Sequence, residues 1–196
     1  MKFTAWMVAL AALVFVGCNG PKALVKKGAE LENAGQIEQA ANLYYAAVMK
    51  DRSHVDALAS LQRAGQGVLN MRLDDFQSAV ALNDRAEAVR TYEAAEAYFD
   101  KIAGVNVRLD FPERHKMAFA QVKSAHMDDL YEEGLEDLAT ERFNDALEKF
   151  EEIVRLDPSF RDADLQADIA YCEPRYRSGK TALSVGQYRS AYRAFD

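Results

Sequence analysis

This sequence is short of thiols, of basic charge and of long apolar runs. Its only cysteines are Cys18 and Cys172, and if Cys18 is consumed by modification, Cys172 has no partner for an intramolecular disulfide. Cys172 then reads as a small apolar residue buried in a helix. Lys and Arg number 24 against 31 Asp and Glu, for a net charge of −7. Binding along a phosphate backbone needs a basic face, so nucleic acid is not an expected partner. The longest apolar stretch, Phe3 to Val16, has 14 residues. That is about 21 Å of helix at about 1.5 Å per residue, whereas crossing a bilayer core takes about 20 residues. Signatures of chemistry are missing as well. The histidines, His54, His115 and His126, form no i, i+4 pair around a glutamate as in a zinc protease. There is no glycine-rich phosphate loop and no Gly-x-Ser-x-Gly elbow. The acidic run DDLYEEGLEDLATE, residues 128–141, reads as a solvated helix face. The expectation is therefore no catalytic residue, no metal site, no cofactor and no small-molecule substrate.

What is present starts with that apolar stretch. Lys2 is its only charged neighbour, the apolar run is too short to span, and small residues close it. A basic start, an apolar middle and a small-residue end form the pattern of a secretory signal, here residues 1–17. Directly after Gly17 stands Cys18, and the four residues Phe15 to Cys18, FVGC, resemble the lipobox of bacterial lipoproteins. That resemblance implies cleavage before Cys18 and acylation of it, as with palmitate. The family usually has Leu where this chain has Phe15, and an ordinary signal with an incidental cysteine stays open beside it. Residues 18–20 form a short linker before Pro21, a residue favoured at the first position of a helix. Lys22, Lys26 and Lys27 fall in that first helix. They could meet anionic headgroups at about 1 kcal/mol each, or simply form a solvated face.

From residue 21 onward the chain repeats itself. AGQIEQAANLYYAAVMKDRSHVDA, residues 34–57, and TERFNDALEKFEEIVRLDPSFRDA, residues 140–163, superpose at a shift of 106. Ala40, Tyr44, Asp56 and Ala57 fall on Ala146, Phe150, Asp162 and Ala163, and Ala47 falls on Ile153. Ala88, Tyr92 and Ala95 repeat the internal spacing, as do Ala191 and Phe195. A small residue, an aromatic four later and a small or aliphatic one three beyond mark one helix face that approaches a neighbour closely. Five residues ahead of each alanine lies an expected turn, at Gly35, Asn83, Glu141 or Gly186. Upstream of the turns are second helical stretches with Leu24, Gly28 and Leu31, with Leu130 and Gly134, and with Gly179. The expected fold is all-α, in four helix-turn-helix units near residues 21–54, 55–104, 112–160 and 161–196.

Such units resemble tetratricopeptide repeats. The family's order of large residue, Gly, Ala, aromatic, Ala and Pro can be placed on Leu24, Gly28, Ala40, Tyr44 and Ala47, and on Leu130, Gly134, Ala146, Phe150 and Pro158. The resemblance implies an α-solenoid of antiparallel helix pairs over residues 21–196. Alanine-to-alanine spacings of 48, 58 and 45 exceed the family's 34, so the first helices of the later units are expected to carry extra turns. The last unit stops partway through its second helix, which suggests that a longer protein continues beyond Asp196; a natural end with a frayed helix is the other reading.

In this family the concave wall, lined by the first helix of each unit, binds protein ligands. The implied groove positions are Asp128, Tyr131, Glu132, Leu135 and Leu138 in the third unit and Tyr176, Arg177, Lys180 and Leu183 in the fourth. Tyr131, Glu132, Leu135, Tyr176, Arg177 and Lys180 are the candidate partner-binding residues, since Tyr and Arg dominate binding hot spots. Packing of these side chains against the extended helices is the alternative. Together the resemblances imply a lipid-anchored scaffold or adaptor of the bacterial envelope, at the outer membrane facing the periplasm, whose partners are other envelope proteins or peptides. The second reading is an N-terminal docking module for a further enzyme, cell-wall-binding or export domain.

Overall fold

The computed structural model describes residues 20–195. The signal segment, Cys18 and most of its linker lie outside the described residues. Among those described there are helices and no strands. Eight helices follow one another: α1 Pro21–Asn33, α2 Ile37–Lys50, α3 Val55–Ala81, α4 Arg85–Ala103, α5 Glu113–Ala139, α6 Phe143–Leu156, α7 Ala163–Ser184 and α8 Tyr188–Phe195. None is long and apolar enough to cross a membrane.

The four turns expected inside the units sit between α1 and α2, α3 and α4, α5 and α6, and α7 and α8. Each places one residue in the left-handed region, with φ of 76° at Gly35, 57° at Asn83, 61° at Glu141 and 75° at Gly186. Glycine adopts that region at no steric cost and asparagine tolerates it. Glu141 adopts it as well, with neither advantage.

The alanine and aromatic positions are the packed ones. Ala40, Tyr44, Ala47, Ala88, Ala95, Ala146, Phe150 and Ile153 have no exposed surface. The reason for glycine twelve residues ahead of each alanine is visible in three of the pairs. A methyl group at Gly28 would lie 2.5 Å from the Tyr44 ring, one at Gly134 2.7 Å from Phe150, and one at Gly179 2.5 Å from Phe195. In the remaining pair that position is Phe76, which fills the gap itself and meets Tyr92 edge to face at 5.3 Å.

Two of the connections leading into the next pair are built alike. Asp51 Oδ1 accepts from the N–H and hydroxyl of Ser53 at 3.0 and 2.7 Å, and Asp157 Oδ1 accepts from those of Ser159 at 2.9 and 2.7 Å. These hydrogen bonds hold both aspartates below the usual carboxylate range.

The described residues divide into two compact units. One holds residues up to Arg72 together with Ala95–Phe111, and the other Leu73–Ala94 together with residues from Pro112 onward. In the first unit, Tyr44 donates to Glu32 at 2.8 Å while Arg63 grips the same carboxylate with two bonds of 2.9 Å. Burial and that carboxylate push the Tyr44 hydroxyl up to about 12. In the second unit, Phe150 and Ile153 of α6 centre a core that also takes Val89, Met127, Leu156, Ala163 and Ala170.

The extra length falls partly where the sequence places it. α3 and α5 have 27 residues and α7 has 22, against 13 in α1. The widest spacing, 58, has another source: α4 is five residues longer than α2, and the connection 104–112 is five longer than 51–54.

Candidate partner-binding face

Helices α5 and α7 carry the candidate groove positions, both within the second unit. Every fourth residue of a helix returns to one face, which is why Asp128, Tyr131, Glu132 and Leu135 share a side of α5, and Tyr176, Lys180 and Leu183 a side of α7. The two sets have different surroundings.

On α5, Tyr131 is half-buried and heavily engaged. Its hydroxyl donates to Asp162, its ring stands edge-on to Phe150 at 5.9 Å and to Phe160 at 6.2 Å, and the Arg161 guanidinium lies 4.6 Å from its centre. Arg161 also reaches Asp128 at 2.6 Å and Glu132 at 3.5 Å. This face of α5 therefore holds the connection between α6 and α7. The shared proton depresses the Asp162 carboxyl and raises the Tyr131 hydroxyl, each chiefly through their mutual hydrogen bond. Leu135 and Leu138 pack against the α6 core.

On α7 the candidates are more open. Tyr176 is 53% exposed, 6.2 Å from the Phe195 ring and 5.9 Å from the Lys180 ammonium. Arg177 is drawn to Glu173 and Glu141, each at 2.8 Å, and lies over Phe143. These carboxylates raise its pKa. Leu183 is 47% exposed. The described structure thus offers Tyr176, Lys180 and Leu183 to solvent and commits Tyr131, Glu132 and Arg177 to contacts of their own.

Nothing in the sequence pattern singles out Arg161, Phe160 or Glu141 as part of this face. Asp162 is visible there only as a repeated position, matching Asp56, with no role attached. Cys172 corrects an expectation: it is exposed. The buried positions of α7 are Ala163, Ala170 and Gly179, and a residue two beyond Ala170 points to the opposite side of the helix.

Lys22, Lys26 and Lys27 are exposed on α1, which has no acidic residue in its first turn. His115 and His126 are both buried on α5, and His54 caps α3 by accepting the Ala57 N–H at Nδ1. No group of His, Cys, Asp or Glu among the described residues is arranged to hold a metal ion. No protein-family model matches the chain, and no curated protein resembles it significantly.

Proposed function

We propose that the chain is a lipid-anchored scaffold of the bacterial cell envelope, built as tetratricopeptide-like repeats and tethered through acylated Cys18. The observation that carries the reading is the recurrence of one packing device: glycine against an aromatic ring in three helix pairs, with an alanine four residues before the ring each time. Repeats of this kind are defined by such packing positions and serve as platforms for other proteins. The FVGC run at residues 15–18 supplies the anchor. Lys22, Lys26 and Lys27 then stand within a few residues of the acylated end, where anionic headgroups would be met. Asn19 supports an outer-membrane site facing the periplasm, since under the rule known from enteric bacteria it is Asp at that position that retains a lipoprotein at the inner membrane and any other residue leaves it free to be sorted outward. Solvent-facing Tyr176 and Lys180 are the side chains of the groove readiest to take a protein partner.

The reading is tested by feeding a fatty-acid analogue to cells that express the protein. Wild type should carry the label and Cys18→Ala should not; equal labelling of both would remove the anchor. The alternative, a docking module for a further domain, is separated from the scaffold by the full reading frame.

A further inference from the structure

The connection between α4 and α5 belongs, as far as Phe111, to the first compact unit, and it differs from the other two connections between pairs. After Ala103 the chain turns through Gly104, Val105 and Asn106, with φ of 62° at Asn106, and then runs without helix to Phe111. Its side chains alternate. Val105 and Val107 are 4% and 5% exposed, whereas Asn106, Arg108 and Asp110 face solvent and Leu109 and Phe111 are half-buried. A period of two is the mark of extended chain with one face packed down.

The far end of this segment is clamped. Gln66 of α3 donates its amide to the Asp110 carbonyl at 3.0 Å and accepts the Asp110 N–H at 2.7 Å, while the Phe111 ring stands edge-on to Phe99 at 5.4 Å. Before the clamp, the main chain of Val107, Arg108 and Leu109 makes no hydrogen bond among the described residues. Extended main chain with unspent donors and acceptors can pair with an added strand, and along this stretch Arg108 is exposed and Leu109 half-buried. Beside it lies a cavity of about 690 Å³ lined by Phe99, Ala103, Asn106, Val107, Arg108 and Leu109. The Arg108 guanidinium has no ion-pair partner among the described residues.

We propose that residues 107–109 take up an extended peptide by strand addition, with an apolar side chain of the peptide in the cavity and one of its carboxylates on Arg108. Three features converge on that ligand. Unpaired main chain asks for another main chain in register, the Phe99 and Leu109 walls accept an apolar group, and a free guanidinium selects a carboxylate. An acyl chain with an acidic head would meet the second and third but leave the backbone unpaired. This site is independent of the face on α5 and α7.

The test is a titration of the ¹⁵N-labelled full chain with a blocked pentapeptide alternating valine and glutamate. Amide signals of residues 107–109 should move and their exchange should slow. Arg108→Ala should weaken binding at least tenfold with helix content and melting unchanged. The same peptide N-methylated at alternate residues keeps every side chain but cannot pair, and should not bind. No shift at millimolar peptide, or equal binding of the N-methylated peptide, would overturn the proposal. Decanoate binding as tightly as the peptide would assign the cavity to an amphiphile and overturn it too.

Discussion

Gly134→Ala separates close helix approach from ordinary helix propensity, because the two act in opposite directions. Alanine in a helix interior is favoured over glycine by about 1 kcal/mol, so the substitution would stabilise α5 if nothing stood near it. A methyl there, however, would lie 2.7 Å from Phe150 Cζ and 3.0 Å from both Cε atoms. Carbon atoms rest at about 3.5–4.0 Å, so either the helices part or the ring turns. The ring is fully buried and braced edge-on by Tyr131, which leaves α5 and α6 to move. Overpacking of that kind costs about 1–3 kcal/mol. The net expectation is a loss of about 1 kcal/mol, or about 2–4 °C in melting temperature for a chain of this size.

Gly67→Ala is the control. It lies in α3, where the added methyl would meet only the Ile37 Cγ2 atom, at 3.4 Å, so propensity should win and stability should rise by up to about 1 kcal/mol. Urea unfolding followed by circular dichroism reads both. Placing Gly134→Ala in a Phe150→Leu background should relieve the clash and give a coupling of about 1–2 kcal/mol. If Gly134→Ala stabilises as much as Gly67→Ala, glycine is not there to admit the ring, and the packing account of the repeat fails.

Phe76→Ala should cost about 3–5 kcal/mol, since it empties a fully buried site where Phe76 meets both Tyr92 and His115; a variant melting like wild type would remove Phe76 from the core. His115 is buried, with no hydrogen-bond partner for Nδ1 among the described residues and with Nε2 2.7 Å from Gln77 Nε2, and its pKa is lowered first by desolvation, then by Arg114. The unfolded chain therefore protonates first as pH falls. Stability from neutral His115 is present above about pH 6.5 and lost as pH falls through the depressed value, a slope that His115→Gln should flatten in unfolding measured from pH 7.5 to 5. Tyr131→Phe removes the donor to Asp162 and should lower the urea midpoint at neutral pH. Because the Asp162 pKa is lowered, that difference should hold above the ordinary carboxylate range, about 4, and vanish as pH falls through the depressed value; a difference that persists in acid would sink the hydrogen-bond account.

The helices, their turns and their packed faces were legible in the sequence because each rests on a local rule. A left-handed residue must end the first helix of every pair, and three of the four turn residues, Gly35, Asn83 and Gly186, are of the types that turn most easily. Close approach needs a missing side chain opposite a ring, so Gly28 and Gly134 announce Tyr44 and Phe150 sixteen residues later. The candidate site was less legible. Tyr131 and Tyr176 occupy matching positions, yet one is half-buried against Arg161 and Phe160 while the other is 53% exposed. The difference is made by loop residues just before α7, and no helical period encodes where a loop side chain will lie.

That contrast says where an individual function of this chain is to be sought. Positions that recur at fixed offsets are spent on packing: Gly28, Gly134 and Gly179 admit rings, and Asp51 and Asp157 fold their connections through Ser53 and Ser159 in the same way. The connection at 104–112 lacks that Asp-x-Ser turn. Its extra length is present in the sequence as the widest alanine spacing, and the expectation of extra helical turns accounts for it too simply. Half of the ten-residue excess over the first spacing lies in α4 and half in this segment. An insertion that only lengthened a helix would leave no main chain unpaired. Among the described residues, this one leaves the main chain of Val107 to Leu109 without a hydrogen bond and Arg108 without an ion pair, beside a cavity, a departure from the repeat that packing alone does not require.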